Sequence, residues 1–120
     1  MKRVARVALA VAAWLFACAA GAHAFLDHAE PAVGSTVHAT PAEVRIWFSE
    51  RLEPAFSTAE LQDASGRRVG TQDATVDASD PALLRMAVPP LAPGRYRVKW
   101  HVLSVDTHVT EGDFTFTVAP

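Results

Sequence analysis

From residue 43 onward, apolar and polar positions alternate in short runs. In EVRIWFS, Val44, Ile46 and Phe48 share one parity and Arg45, Trp47 and Ser49 the other, and Ala59 and Leu61 alternate with Thr58, Glu60 and Gln62. Leu84, Met86 and Val88 alternate with Leu83, Arg85 and Ala87, and Phe114, Phe116 and Val118 with Asp113, Thr115 and Thr117. The clearest run is RYRVKWHV, in which Tyr96, Val98, Trp100 and Val102 oppose Arg95, Arg97, Lys99 and His101. Side chains of a strand point alternately to its two faces, so a period of two predicts strands with one face buried. Turn-forming clusters separate the runs: Pro31 to Ser35, Ala39-Thr40-Pro41, Asp63-Ala64-Ser65-Gly66, Ala78 to Pro81 and Pro89 to Gly94. No stretch after residue 23 has a helical period. Punctuated short strands predict an all-β chain, a small immunoglobulin-like Greek-key β-sandwich of about seven strands.

The first residues follow a different pattern. Lys2, Arg3 and Arg6 precede the uncharged run Val7 to Ala17, and Ala20-Gly21-Ala22 ends it with small residues. These are the three regions of a secretory signal peptide, and the apolar run is shorter than the roughly 20 residues of a membrane-spanning helix. Cleavage after Ala22 is expected, leaving an exported domain of residues 23–120. A competing cut is a lipobox-like Leu15-Phe16-Ala17-Cys18, which would make a lipidated Cys18 the first residue; bulky Phe16 stands where small residues are usual.

Removing residues 1–22 changes the charge and the available chemistry. Eight basic and thirteen acidic residues remain, a formal charge of −5 against −2 for the full chain, so a surface that seeks phosphate is absent and nucleic acid is excluded as a partner. The one cysteine, Cys18, leaves too, which excludes a disulfide framework, a thiolate metal site and a cysteine nucleophile. Ser49, Ser57, Ser65, Ser79 and Ser104 lack a nucleophile elbow, and no glycine-rich phosphate loop stands out. With a single domain's length, a multidomain enzyme is also excluded.

What remains is a set of nitrogen and oxygen donors. Cleavage makes His23 the first residue, and an N-terminal histidine presents its free amine and near imidazole nitrogen as a chelating pair. Asp106-Thr107-His108 follows the RYRVKWHV strand, and in an extended segment residues two apart project to the same side. Together with His23 they give three nitrogens and one oxygen, a tetragonal set that favours Cu(II). Read alone, Asp-Thr-His also fits a turn capped by its own side chain. His101 falls on the solvent parity and His38 in a turn, whereas His28, five residues after His23, is a reserve ligand or neighbour. A backbone-amide copper motif would need histidine at the third mature position, which is Phe25. Met86 is the only methionine after cleavage and has core parity, so no Met-rich Cu(I) site is expected.

The ordered segments HAFLDHAEPAVGSTV, PAEVRIWFSERLEP, PLAPGRYRVKWHVLSVDTHVTEG and FTFTV resemble the CopC family of periplasmic copper-binding proteins across the whole mature chain. The resemblance implies a β-sandwich in the bacterial periplasm that binds one Cu(II) ion through His23, Asp106 and His108. It further implies that Glu50 stands near the copper and holds a ligand rather than the ion. The chain departs from the two-site members of that family, which carry a Met-rich loop for Cu(I). The expected role is non-enzymatic: copper homeostasis or resistance, by sequestering Cu(II) or delivering it to a CopD-like inner-membrane protein, as a monomer. Two alternatives are a copper oxidase or monooxygenase using the same amine and two histidines as a histidine brace, and an immunoglobulin-like interaction domain that binds no metal.

Overall fold

The computed structural model describes residues 24–70 and 73–120; the expected signal peptide, Cys18 and His23 lie outside the described residues. Among the described residues nine strands follow one another: β1 (Leu26–Glu30), β2 (Thr36–Val37), β3 (Glu43–Phe48), β4 (Thr58–Gln62), β5 (Arg68–Val69), β6 (Thr75–Val76), β7 (Leu83–Ala87), β8 (Gly94–Leu103) and β9 (Val109–Val118). They form two sheets, ordered β1-β3-β7-β6 and β2-β9-β8-β4-β5. All pairings are antiparallel except β2 with β9. The expected sandwich is therefore present, with three of its strands only two residues long.

The core consists of the inward positions of the alternating runs. Val44, Ile46 and Phe48 of β3 and Leu84 and Met86 of β7 face Ala59 and Leu61 of β4, Tyr96, Val98 and Val102 of β8, and Phe114, Phe116 and Val118 of β9. Burying each of the larger of these side chains contributes about 1.5–3 kcal/mol, which is what holds two sheets together without a covalent link. Trp100 stands edge-on to Phe48 with ring centroids 5.1 Å apart, and the Tyr96 hydroxyl donates to the Ala92 carbonyl at 2.6 Å. A buried phenol otherwise loses its hydrogen bond to water, so that partner is needed.

The outer face of the four-stranded sheet carries a charge ladder beside Trp47. Glu30 and Arg45 lie 3.9 Å apart, Arg45 also meets Glu43, and Arg85 joins Glu43 at 3.0 Å to Asp77 at 2.8 Å. Opposite charges on cross-strand neighbours reinforce the register that the buried face sets.

Strand β1 departs from the period of two. Leu26 is opposite Phe48 and His28 opposite Trp47, so Asp27 is an extra residue, a β-bulge. Its effect is to turn both Leu26 and Ala29 toward the core although they are three apart. The chain's described N-terminus thus runs along the sandwich edge and ends beside the β8–β9 hairpin.

Candidate metal site

Strands β8 and β9 pair along their full length from Gly94 with Val118 to Leu103 with Val109, so the connection is the five residues 104–108. That loop closes on itself. The Ser104 amide donates to the His108 carbonyl at 3.0 Å, and the Thr107 amide to the Ser104 carbonyl at 2.9 Å. Closing so short a loop puts Thr107 at φ 70°, in the left-handed region that β-branched residues avoid.

Asp106 and His108 come together here, with His108 Nδ1 3.3 Å from Asp106 Oδ1. The reason differs from the expected one. The segment is a turn rather than an extended strand end, and the left-handed residue between the two side chains directs them toward each other. The Ser104 hydroxyl donates to the same Asp106 Oδ1. That donation is the largest influence on the Asp106 carboxyl; burial opposes it, the neighbouring His108 adds to it, and the net effect holds the carboxyl below its ordinary range. Asp106 is accordingly an anion at neutral pH, the form a metal ion needs.

Three contacts fasten the first described residues to the turn after β3 and to β9, on either side of this loop. The Phe25 amide donates to Ser49 Oγ at 2.9 Å, the Ser49 amide donates to the Phe25 carbonyl at 2.8 Å, and the Thr110 hydroxyl donates to the Ala24 carbonyl at 2.7 Å. Ala24 is fully buried. The residue that follows His23 in the chain is thus fastened to β9 two residues beyond His108. Glu50 is half-buried in the turn after β3, between Ser49, which bonds Phe25, and Arg51, whose carbonyl accepts from the Val105 amide at 3.0 Å. Its backbone neighbours touch both the Asp106 loop and the N-terminal segment.

The other sequence-derived histidines are engaged elsewhere or exposed. His28 stacks on Trp47 with centroids 4.3 Å apart and an interplanar angle of 8°, and its Nδ1 lies 2.7 Å from Asp27 Oδ2. This assigns it to the outer surface of the four-stranded sheet, with partners other than Asp106 and His108. His38 and His101 are exposed. Among the described residues no three His, Cys, Asp or Glu side chains gather as a metal site; Asp106 and His108 are a pair. Sequence reading missed the parts played by Ser104, Ser49 and Thr110. A serine two residues before a loop aspartate was the available signal, since short hydroxyl side chains bond nearby backbone and carboxylate groups in turns.

A nitrogen and carboxylate pair held at one end of a β-sandwich, beside an anchored N-terminal segment, defines a small binding module. The CopC domain family matches residues 26–119, and the chain belongs to the CopC family. It is 40 % identical over 101 residues to Protein YobA of Escherichia coli K12, covering 81 % of this chain and 79 % of that one. It is 33 % identical over 124 residues to copper resistance protein C of Xanthomonas campestris pv. juglandis, covering 98 % and 96 %. Among solved structures it is similar to CopC from Methylosinus trichosporium OB3b, with a TM-score of 0.77 and 39 % identity over 82 % of this chain and 95 % of that one. It is also similar to PcoC, a methionine-rich copper resistance protein from Escherichia coli, with a TM-score of 0.72 and 36 % identity over 81 % and 99 %.

Proposed function

We propose that this chain is an exported, non-enzymatic copper-binding protein of the periplasm that holds a single Cu(II) ion with the amine and imidazole of His23, the carboxylate of Asp106 and the imidazole of His108. The observation that carries this reading is the convergence of Asp106 and His108 on a closed loop whose following strand also fastens Ala24. Consecutive Cα atoms are about 3.8 Å apart, so residue 23 begins within one peptide unit of that anchor. Glu50 is proposed to orient a ligand from the adjoining turn.

Two copper resistance relatives and a copper transport protein of Bacillus subtilis, CutJ, support a role in copper homeostasis or resistance; this chain spans 18 % of CutJ at 26 % identity. Alignment with a small part of a much longer transport protein favours delivery of the ion to a membrane partner of the CopD type over storage alone. The rim suits such hand-over. Phe25, Val105 and Val109, beside the candidate ligands, are all large apolar side chains left exposed. The chain has only Met1 and Met86, and Met86 is buried, so a thioether Cu(I) site like that of a methionine-rich relative has no donors here.

The test is titration of the exported, processed protein with Cu(II), read by electron paramagnetic resonance. One tetragonal signal that saturates at one equivalent is expected, with a raised thermal midpoint. Equally tight stoichiometric binding by His23→Ala would overturn the ligand set, and reductant-dependent peroxide formation by the loaded protein would overturn the non-enzymatic reading.

A further inference from the structure

We propose that Ser104 is the positioning residue of the metal site, its single hydroxyl fixing the Asp106 carboxylate and the His108 main chain at once so that both ligands are in place before the ion arrives. The inference rests on the copper reading above and adds a residue that touches both ligands without binding metal.

Ser104 is fully buried, at 0 % exposure, which is unusual for a serine at a loop entrance. The burial has a structural cause: Ser104 forms an isolated bridge with Leu52, itself a core residue, so the end of β8 is pressed against the turn that follows β3. A buried hydroxyl must find partners, and three polar atoms surround this one. Asp106 Oδ1 is one of them; the His108 amide is 3.3 Å away and the His108 carbonyl 3.2 Å away. A hydroxyl has one proton to give. The anionic carboxylate is the stronger acceptor, and the His108 carbonyl already takes the Ser104 amide at 3.0 Å. The proton therefore goes to Asp106, and the oxygen's lone pair accepts the His108 N–H.

This arrangement has a consequence for affinity. An exposed aspartate and histidine on a five-residue loop would each lose rotamer freedom when an ion binds. A fixed carboxylate and a fixed histidine backbone have paid part of that cost in the fold itself.

Ser57 supplies the control. It is the other buried serine, and its hydroxyl bonds the main chain of Leu103, accepting from the amide at 3.2 Å, next to Ser104 but away from Asp106. Wild type, Ser104→Ala and Ser57→Ala are compared in their exported, processed forms. Three readouts apply: thermal midpoint, hydrogen exchange at the His108 amide without metal, and Cu(II) affinity by chelator competition with the resonance spectrum of the loaded protein. Ser104→Ala is expected to weaken Cu(II) binding about ten- to a hundredfold, to shift the Cu(II) hyperfine splitting, and to speed His108 exchange in the metal-free protein. Ser57→Ala is expected to lower the thermal midpoint while leaving affinity and spectrum as in wild type.

Unchanged affinity and spectrum in Ser104→Ala would overturn the proposal, as would an equal loss of affinity in Ser57→Ala, which would show that any buried hydroxyl at this strand end suffices. A wild-type protein with no stoichiometric tetragonal signal would instead overturn the copper reading itself, and that failure is visible before any variant is made.

Discussion

Ser49 holds Phe25 by both of its main-chain polar groups: the Phe25 amide donates to Ser49 Oγ at 2.9 Å, and the Phe25 carbonyl accepts from the Ser49 amide at 2.8 Å. With Thr110 gripping the Ala24 carbonyl from β9, the first described residues are tied to both sheets, since Ser49 follows β3 of one and Thr110 belongs to β9 of the other. These contacts fix the position from which the chain enters β1.

Ser49→Ala removes the side-chain half of that grip and leaves the Phe25 amide to water. A loss of about 1 kcal/mol is expected, read as a fall in thermal midpoint of the metal-free protein. On the proposed ligand set, Cu(II) affinity also falls, because the segment bearing His23 is less fixed. A variant that loses stability but keeps its copper affinity would separate the anchor from the site.

Retaining Ala22 in front of His23 tests the amine directly. An additional residue converts the terminal amine into a peptide amide while leaving every described side chain in place. Affinity for Cu(II) should fall by at least about tenfold relative to the protein beginning at His23, with a changed resonance spectrum. Chelator competition on two samples differing only in that residue provides the measurement.

Thr107 occupies left-handed backbone at φ 70° between the two candidate ligands. Asparagine tolerates this region far better than a β-branched residue, so Thr107→Asn should stabilise the metal-free protein by up to about 1 kcal/mol. Urea denaturation would check it; a destabilised variant would mean that the Thr107 hydroxyl, which donates to the Asp106 carbonyl at 2.6 Å, outweighs the strain.

Gly112 lies opposite Trp100, and a Cβ there would stand 2.6 Å from the indole Cζ2. No rotation of a ring already packed edge-on against Phe48 clears that overlap cheaply. Gly112→Ala should therefore cost about 1–3 kcal/mol, accompanied by a shift in tryptophan fluorescence as the ring moves.

Asp77 is the anion at the end of the outer charge ladder. Hydrogen bonds from Ser79, then the guanidinium of Arg85, hold its carboxyl down at about 2, against an ordinary value of 3.8. A carboxyl depressed by folding adds stability above its unfolded value and loses it as pH falls through the folded one. Asp77→Asn should thus lower the thermal midpoint at neutral pH, and the gap to wild type should close between pH 3.8 and about 2. A gap that persists unchanged below that range would assign the effect to packing rather than charge.

The alternation of residues made β3, β4, β7, β8 and β9 legible, because each has one buried and one solvated face. Strand β1 was not legible, since the bulge at Asp27 puts Leu26 and Ala29 on the same side three residues apart and breaks the period. Strands β2, β5 and β6 are two residues long, too short to carry any period. At the candidate site the donor types Asp106 and His108 are legible, but three residues fit both an extended segment and a capped turn, and only the structure shows the turn. The burial of Ser104 is not legible in the sequence because it depends on Leu52, fifty-two residues earlier in the chain.

The sequence by itself determined the fold class, the buried faces of the long strands, and the residue types able to hold a metal, because each depends on local periodicity or on side-chain chemistry. Only the tertiary structure decided that β1 runs beside β3, that Ala24 and Phe25 are fastened between the two sheets, and that one buried hydroxyl joins Asp106 to His108. Those relationships come from pairing between residues far apart in the chain, which the burial of a shared core selects and no local pattern encodes.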